Sequence, residues 1–355
     1  MTLNPKKIIG SLGRRYGGKT FQKIRQSYYD IAAFFTQLYE VSYLMRGKYA
    51  PRHPDKKFYD LYYSGNNKAD ADVIKKGIIC MCDGRMYHGG PTDRLRGILT
   101  TYHEAKKLNV PFYISWTSPF NLEDYLEPAD FDWRIKPEEI SYLKNEAFPF
   151  IIEDEPDFHS SLRMKAGLKM WRTQLHVYSN ADNCRGNYRK LWNELFRPSP
   201  AVRNETDKHL KQLGSKFTAY TFRFLQLLGD FKEWAELTLD EEEAERLIEK
   251  VTDEFRKLTA GIGENQKILV TSDSRRFLNY ISAIDPRVYV VPGEVKNIDL
   301  LKGEFKEAWL KTFVDQQLLM HAEKVTLMRT GKMYKSGFPR FAAEVGGAEF
   351  IDHEF

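Results

Sequence analysis

Residues 267–293 read KILVTSDSRRFLNYISAIDPRVYVVPG. A short apolar run at Lys267–Thr271 is followed by an amphipathic stretch from about residue 274, and then by a second apolar run at Arg287–Val291. Two short apolar runs separated by one helical pattern are typical of a βαβ unit, in which the two strands are parallel. This stretch therefore predicts an α/β fold.

The same alternation continues through the rest of the C-terminal half. Further strands are predicted at Phe217–Phe224 and Lys324–Met328, and helices at 240–258, 304–321 and 336–346. Four successive strand–helix units favour a doubly wound open sheet.

The N-terminal half repeats this pattern less regularly. Gly77–Cys82 and Pro111–Trp116 are predicted as strands on either side of a helix at Asp93–Leu108, and Gln174–Ser179 as a further strand. A proline-containing polar segment at 197–213 marks the domain boundary. We therefore expect two Rossmann-like domains that face each other across a cleft. The predicted ranges are a basic helical extension at 1–75, an N-terminal domain at 76–205 and a C-terminal domain at 206–355.

Composition excludes several classes of protein. The 355 residues are 42% hydrophobic and 29% charged, with a net charge of +5 and three cysteines. Such a chain builds a folded core, has too few cysteines for a disulfide framework and is not basic enough for a nucleic-acid-binding protein. Without an apolar run of membrane-spanning length or a secretory signal, we expect a cytoplasmic protein.

The first 29 residues carry seven cations and no acidic side chain. An apolar stripe continues from them through Ile24, Tyr28, Ile31, Phe35 and Leu38, at the spacing of a helix. One interpretation is a helix packed on the first domain with a solvated basic face. The other is a peripheral anchor on anionic lipid at the inner face of the membrane.

Polar residues follow the predicted strands of the C-terminal half, where ligands bind in open α/β sheets. Arg223 closes the first strand and can hold a phosphate with its planar fork. Ser336 opens the last helix, whose N-terminus is a ready anion site. Asp273 follows the second strand and could accept hydrogen bonds from a ribose or a guanine. These features predict a nucleotide site, although Ser336 and Asp273 could equally be helix caps.

The first half has a glycine turn of its own, at Gly89-Gly90, between a strand and a helix. It lacks the G-x-G-x-x-G spacing of dinucleotide-binding proteins. The turn is either a tight connection with Asp93 as its cap or the wall of the cleft that faces Arg223.

No pattern predicts a metal site or a bound cofactor. Asp70 and Asp72 form a D-x-D pair, but in a polar stretch before the first strand. The acidic run at 153–159 is predicted to be an exposed loop. Cys80 and Cys82 have the wrong spacing for a metal-binding pair and are predicted to be core thiols.

These motifs resemble those of the GDP-fucose-dependent fucosyltransferase superfamily, which includes protein O-fucosyltransferases, α1,6-fucosyltransferases and the rhizobial nodulation fucosyltransferase. Gly89–Leu95 (GGPTDRL) is similar to the family's glycine turn, and Val270–Ser274 (VTSDS) to its Ala-Thr-Asp-Ser. Arg223 matches the first arginine of its His-x-Arg-Arg, and Asp315 with Ser336–Phe338 resembles its final Asp…Ser-Ser-Phe. The predicted donor-binding residues are Gly89, Gly90, Asp93, Arg223, Ser272, Asp273, Ser274, Asp315, Ser336, Gly337 and Phe338.

The resemblance implies a GT-B fold and metal-independent, inverting transfer of fucose from GDP-fucose to a glycan acceptor. A further similarity to bacterial polysaccharide-locus proteins implies a role in surface polysaccharide biosynthesis. Arg223 is the predicted catalytic phosphate ligand, with Asp230 and Glu233 as candidate bases and Asp93 and His88 as rivals.

Two departures from the family pattern keep alternatives open. Thr221 replaces the histidine and Phe224 replaces the second arginine. The alternatives are a nucleotide-binding, non-catalytic scaffold subunit of a glycan-assembly complex, or a transferase of another nucleotide sugar. We also expect Arg223 to face the cleft without a structural partner, so that its removal would leave stability unchanged.

Overall fold

The computed structural model describes residues 56–63, 73–86, 89–152, 173–231, 237–294 and 305–355. These residues fall into two compact units. The smaller holds 56–63, 73–76, 138–150 and 173–175, and the larger holds the remaining described residues. The basic segment 1–29, the apolar stripe behind it and the D-x-D pair at 70–72 lie outside the described residues, so the predicted N-terminal extension stays a prediction.

From α3 onward, helices and strands alternate along the described chain. The α-helices are α1 (Lys56–Tyr62), α2 (Pro91–Leu108), α3 (Tyr188–Leu195), α4 (Pro200–Leu213), α5 (Glu241–Thr259), α6 (Arg275–Ile284), α7 (Lys306–His321) and α8 (Phe338–Gly346). The strands are β1 (Gly77–Cys82), β2 (Phe112–Trp116), β3 (Leu126–Pro128), β4 (Ala147–Ile152), β5 (Gln174–Ser179), β6 (Phe196–Pro198), β7 (Thr218–Phe222), β8 (Ile268–Ser272), β9 (Val288–Tyr289), β10 (Lys324–Arg329) and β11 (Glu349–Glu354). None of these helices is both long and apolar enough to cross a membrane.

The first sheet has four strands in the order β2-β1-β5-β4. β1 pairs with β2 in parallel, so that Cys82 lies opposite Trp116. All six residues of β1 are buried, as expected for a strand covered on both faces. Cys80 and Cys82 are therefore core thiols, as predicted, and both are free.

The second sheet has five strands in the order β11-β10-β7-β8-β9, and every neighbouring pair is parallel. The chain runs outward from β7 to β9 and then returns to the other side of β7, where it forms β10 and β11. This order confirms the doubly wound sheet predicted from the sequence. The direction of winding reverses between β7 and β10, and such a switch point leaves a crevice at the carboxyl ends of the two strands.

Aromatic packing fixes one face of the second sheet. Tyr220 and Phe222 alternate along β7 and pack against Phe255 of α5, while Phe222 also meets Phe277 of α6 at 4.6 Å between ring centroids. Side chains of a strand that are two residues apart share a face, so this face is apolar and closed. Asp240 and Ser274 accept backbone N–H bonds at the starts of α5 and α6 and so stop both helices from fraying.

Two glycines allow helices to approach neighbouring backbone. A Cβ on Gly97 of α2 would lie 1.9 Å from the carbonyl oxygen of Ser179, at the end of β5. A Cβ on Gly346 of α8 would lie 2.1 Å from the carbonyl oxygen of Met320 in α7. Neither distance is compatible with any side chain, so α2 and α8 reach their positions only because these residues are glycine.

Rings also join the halves within the larger unit. Phe120 and Tyr125 follow β2, and Trp309 and Phe313 lie on α7. The Tyr125 and Phe313 rings stack at 4.9 Å, and Phe120 lies 5.4 Å from Trp309. Tyr188 of α3 meets Phe341 of α8 in an edge contact at 5.1 Å. The helices that follow β9 and β10 are thus packed against elements of the first half.

Five of these elements were not predicted from the sequence: α3, β3, β4, β6 and β11. β4 contains Pro149, which lowers the strand signal, and α3 has only eight residues. β7 is shorter than predicted, because it ends at Phe222 rather than Phe224. Arg223 therefore begins the loop after the strand.

Candidate functional site

The loops after β7, β8 and β10 are hydrogen-bonded to one another at the switch point. Arg223 is the first residue after β7, and its carbonyl oxygen accepts the Tyr334 N–H at 2.9 Å from the loop after β10. On the other side, the Asp273 carboxylate accepts the Phe224 N–H at 2.9 Å and the Leu225 N–H at 2.7 Å. The segment 223–225 is thus held from both neighbouring loops.

This arrangement stabilises an unusual backbone conformation. Leu225 has a φ of +55°, in the left-handed region that non-glycine residues rarely adopt. Such a residue persists only where its surroundings hold it, and its N–H is held by Asp273. The carboxylate of Asp273 therefore sets the path of the chain immediately after Arg223.

The Arg223 side chain is itself partnered. Its Nη1 lies 3.3 Å from Oδ2 of Asp273, and its guanidinium lies 4.5 Å from the centre of the Phe231 ring. The Arg223 side chain is 23% exposed, whereas that of Asp273 is 1% exposed. The expectation that Arg223 would have no structural partner is therefore wrong, because its charge compensates a buried carboxylate.

Burial dominates the electrostatics of this pair. Removal from water raises the pKa of the Asp273 carboxyl, while Arg223 and the backbone N–H groups of Phe224 and Leu225 act in the opposite direction. The charged form of Asp273 thus depends on these donors. The Asp273 oxygens already contact Arg223 and accept two backbone N–H groups, so this side chain positions the loop that follows β7. Recognition of a ribose or guanine by Asp273 stays a prediction.

The hydroxyls beside Asp273 are occupied within the same turn. Ser272 Oγ accepts the Ser274 N–H at 3.1 Å, and Ser274 Oγ accepts the Phe277 N–H at 3.0 Å as the cap of α6. The cap alternative considered for Asp273 is therefore met by Ser274, one residue later.

Asp230 also binds the start of α6. Its Oδ2 lies 3.0 Å from Ser274 Oγ and accepts the Arg276 N–H at 2.8 Å. These contacts anchor the end of the Arg223 loop to a helix N-terminus, where a carboxylate is favoured. Asp230 is thus engaged in holding the loop, and its role as a base stays a prediction. The other two candidates, Glu233 and His88, lie outside the described residues.

The Gly89-Gly90 turn closes the N-terminus of α2. Asp93 Oδ2 accepts the Gly90 N–H at 3.1 Å, which is the capping role that the sequence left open. Arg94 is buried and donates to the carbonyl oxygens of Gly89, at 3.1 Å, and Ser118, at 2.9 Å. Arg94 therefore fixes the glycine turn to the segment that follows β2.

The start of α8 lies next to this turn. Ser336 Oγ accepts the Phe338 N–H at 3.3 Å, and α8 begins at Phe338, two residues later than predicted. A Cβ on Gly337 would lie 3.5 Å from Nη1 of Arg96, and Arg96 is ion-paired with Asp93 on α2. The structure thus brings the glycine turn of the first half and the Ser336–Phe338 segment of the second half together through Arg96.

Asp315 has a different environment. It lies on α7 and pairs with Lys311 at 2.6 Å, and both side chains are almost fully buried. Burial raises the pKa of the Asp315 carboxyl and Lys311 opposes that shift. One of its oxygens, Oδ1, has no hydrogen-bond partner. The ion pair with Lys311 lies within one helix, and donor binding by Asp315 stays a prediction.

The two departures from the family pattern have structural roles here. Phe224 is fully buried and packs on Phe277 at 4.9 Å, so its side chain belongs to the core. Thr221 is buried and shares a 2.8 Å hydrogen bond with Thr271 on the neighbouring strand. Neither side chain can take the place of a charged residue at the crevice.

Sequence analysis overlooked Tyr334 and Arg96. The signal available for Tyr334 was its place in the loop after the fourth strand, two residues before Ser336. Arg96 could not be found by spacing, because its neighbour Gly337 is distant in the chain. Among the described residues, no three His, Cys, Asp or Glu side chains gather as metal ligands do.

Comparison with known proteins returned solved structures only. No protein-family model matches the chain, and no curated protein matches it. Fucosyltransferase NodZ from Bradyrhizobium is 16% identical, with a TM-score of 0.49 over 76% of this chain and 93% of that one. An Arabidopsis thaliana FUT1 variant in complex with GDP is 12% identical, with a TM-score of 0.49 over 89% and 78%. POFUT1 in complex with GDP-fucose is 12% identical, with a TM-score of 0.43 over 79% and 98%. All three of these solved structures are fucosyltransferases.

Proposed function

We propose that this chain is an inverting glycosyltransferase that takes its sugar from a nucleoside diphosphate, with GDP-fucose as donor and a glycan hydroxyl as acceptor. The observation that carries the proposal is Arg223 at the switch point between β7 and β10, held from both sides by Asp273 and the Tyr334 N–H. Open α/β sheets bind their ligands at this crevice.

The chemistry of the crevice suits a diphosphate. A guanidinium offers a planar fork of N–H donors that matches phosphate oxygens, and Arg223 remains partly exposed. The N-terminus of α8 follows the same crevice, and a helix start favours an anion. Gly337, which leads into α8, would bring its backbone N–H to the second phosphate, since the Ser336 N–H already donates to the Tyr334 carbonyl oxygen.

These groups would act mainly on the leaving group. As the bond between sugar and diphosphate breaks, negative charge grows on the terminal phosphate, and fixed donors stabilise that charge without rearrangement. The glycan hydroxyl attacks the anomeric carbon from the opposite face, which inverts the configuration, and its proton passes to a base. Because Asp230 and Asp93 already accept backbone hydrogen bonds, Glu233 and His88 are the bases to test first.

The identity of the donor rests on the resemblance of the motifs rather than on geometry. The same resemblance supports metal-independent transfer, a donor domain at 206–355, an acceptor domain at 76–205 and a role in surface polysaccharide biosynthesis. A cytoplasmic location is supported by three free, buried thiols, and a peripheral membrane contact is supported by the seven cations in the sequence of residues 1–29.

Calorimetric titration of GDP with and without EDTA tests the donor site. We expect equal affinity in both conditions, and a strict need for a divalent ion would contradict the proposal. A second assay, in which chromatography measures the release of GDP from GDP-fucose, then distinguishes an enzyme from a non-catalytic scaffold. Slow hydrolysis supports a transferase, whereas tight GDP binding without any turnover, even with glycan acceptors, supports the non-catalytic subunit. Panels of UDP-, CMP- and ADP-sugars identify a different donor.

A further inference from the structure

The loop after β10 carries an exposed aromatic residue, Tyr334, whose backbone N–H donates to the Arg223 carbonyl oxygen. Tyr334 is 53% exposed, the largest value among the exposed large hydrophobic side chains of the described residues. A single exposed ring is ordinary on a protein surface and by itself indicates nothing. The backbone around this one, however, is unusually well held.

Hydrogen bonds fix the loop on both sides of the ring. The Tyr334 N–H donates to Arg223, as described above, and the Tyr334 carbonyl oxygen accepts the Ser336 N–H at 3.0 Å. Its neighbour Met333 is buried in the core behind the sheet and donates its N–H to Thr330 at 3.1 Å. On the other side, Lys335 pairs with Asp352 of β11 at 2.6 Å. The Tyr334 backbone is therefore anchored while its ring stays bare.

The Tyr334 backbone lies at the edge of the sheet where open α/β folds bind their ligands. Tyr334 and Arg223 belong to the two strand ends that flank the switch point, and their backbones are in direct hydrogen-bond contact. A diphosphate on Arg223 has a nucleoside on one side and a sugar on the other. A tyrosine ring adds a large, rigid contact surface at a small cost in side-chain freedom, since it has only two rotatable bonds.

We infer that Tyr334 stacks on the nucleobase of the donor and so contributes to nucleotide affinity. This inference rests on the proposed function. A base presents a flat π-face that an aromatic ring recognises with little dependence on base identity. Tyr334 would then hold the nucleotide, while selection among bases would fall to hydrogen-bonding groups elsewhere in the crevice.

The test compares two ligands in three variants. Titration of GDP and of inorganic pyrophosphate is carried out on the wild type, Tyr334→Ala and Tyr334→Phe, with Tyr280→Ala as a matched control. Tyr280 lies within α6 rather than in a loop that follows a strand, and it is 39% exposed. We expect Tyr334→Ala to lower the affinity for GDP about tenfold and to leave the affinity for pyrophosphate unchanged, because a stacking contact involves only the base. Tyr334→Phe, which keeps the ring, should stay within about twofold of wild type.

Fluorescence gives a second readout. The indole of Tyr334→Trp should be quenched by GDP and unaffected by pyrophosphate. Equal GDP affinity of Tyr334→Ala and wild type would overturn this inference and leave the proposed function standing. An effect confined to GDP-fucose and absent with GDP would also overturn it, because the ring would then contact the sugar. A wild type that fails to bind GDP at all would overturn the proposed function, and this inference with it.

Discussion

Nη1 of Arg223 lies 3.3 Å from Oδ2 of Asp273, and the same carboxylate binds the N–H groups of the two residues that follow Arg223. One buried side chain thus compensates the guanidinium and shapes the backbone that presents it. We therefore expect a substitution at Arg223 to affect stability as well as the proposed donor binding.

Arg223→Ala should lower the rate of GDP release from GDP-fucose by two to three orders of magnitude, since removal of a comparable charge-stabilising donor costs about 3–4 kcal/mol. Arg223→Lys should recover part of this loss, because it retains the charge without the fork. Steady-state kinetics check both variants. Turnover of Arg223→Ala within about threefold of wild type would remove Arg223 from the mechanism.

The same Arg223→Ala variant should melt at a lower temperature than wild type, because it leaves the buried Asp273 carboxylate without its counter-charge. Adding Asp273→Asn should restore part of the melting temperature without restoring turnover. A double-mutant cycle measures the coupling between Arg223 and Asp273. It uses calorimetric scans of the wild type, both single variants and the double variant. Strictly additive effects would show that the two side chains do not interact.

The stability loss in Arg223→Ala should depend on pH. Burial raises the pKa of the Asp273 carboxyl in the folded protein above 3.8, its pKa in the unfolded chain. The contribution of this carboxyl to folding therefore becomes less favourable as pH rises from 3.8 through the folded pKa. Without Arg223 that pKa rises further. Chemical unfolding should therefore show a small difference between Arg223→Ala and wild type at low pH and a larger one at neutral pH. A difference that grows on acidification would contradict the assignment.

Phe224→Arg should destabilise the protein rather than restore the family's second arginine. The Phe224 side chain is fully buried against Phe277, and a charged group there would have no water and no partner. We expect a large fall in melting temperature or loss of folded protein, with Phe224→Leu as the control that retains an apolar side chain. A folded, active Phe224→Arg would mean that this residue can turn into the crevice.

His176 in β5 should make the fold sensitive to acid. Burial, with a smaller effect from Arg85, lowers its pKa to about 3, so the folded state keeps it neutral. The stability from this group is fully present above pH 6.5 and is lost as pH falls toward 3, by up to about 1.4 kcal/mol per pH unit. Urea unfolding at pH 7, 6, 5 and 4 should show a weaker pH dependence in His176→Gln than in wild type. Identical slopes would exclude His176 as the source.

Gly97→Ala should disrupt the packing of α2 on β5, because the added Cβ would meet the Ser179 carbonyl oxygen at 1.9 Å. Gly261→Ala is the matched control, since no atom lies within 4 Å of its Cβ position. We expect a marked fall in melting temperature for Gly97→Ala and almost none for Gly261→Ala. Similar melting temperatures would show that α2 can shift away from the sheet.

The sequence predicted the parts of the fold whose signal is local. β1 and β5 match their predicted bounds, and β1 (GIICMC) is the continuous apolar run expected of a strand buried on both faces. β11 was missed because Glu349–Glu354 reads EFIDHE and exposes both ends, so it carries no such run. Its place in the sheet depends on pairing with β10, which no local pattern reveals.

The same limit applies to the site. The residues at the strand ends could be named from spacing, because parallel strands end at a common edge. The contacts among them could not, since Asp273 reaches Phe224 and Leu225 across about fifty positions of chain. Sequence reasoning therefore treated Asp273 as a ligand residue and Arg223 as unpartnered, whereas the structure pairs the two.

The hydrogen bonds that join the loops after β7, β8 and β10 have a consequence for engineering the donor preference proposed for this chain. A loop transplanted alone from another transferase would break bonds that its two neighbours supply, and Arg223 would lose its placement before any new sugar was accommodated. The three loops form a single exchangeable unit. Libraries that vary them together, with Asp273 and the Tyr334 backbone geometry retained, are the ones in which altered donors can emerge from folded proteins.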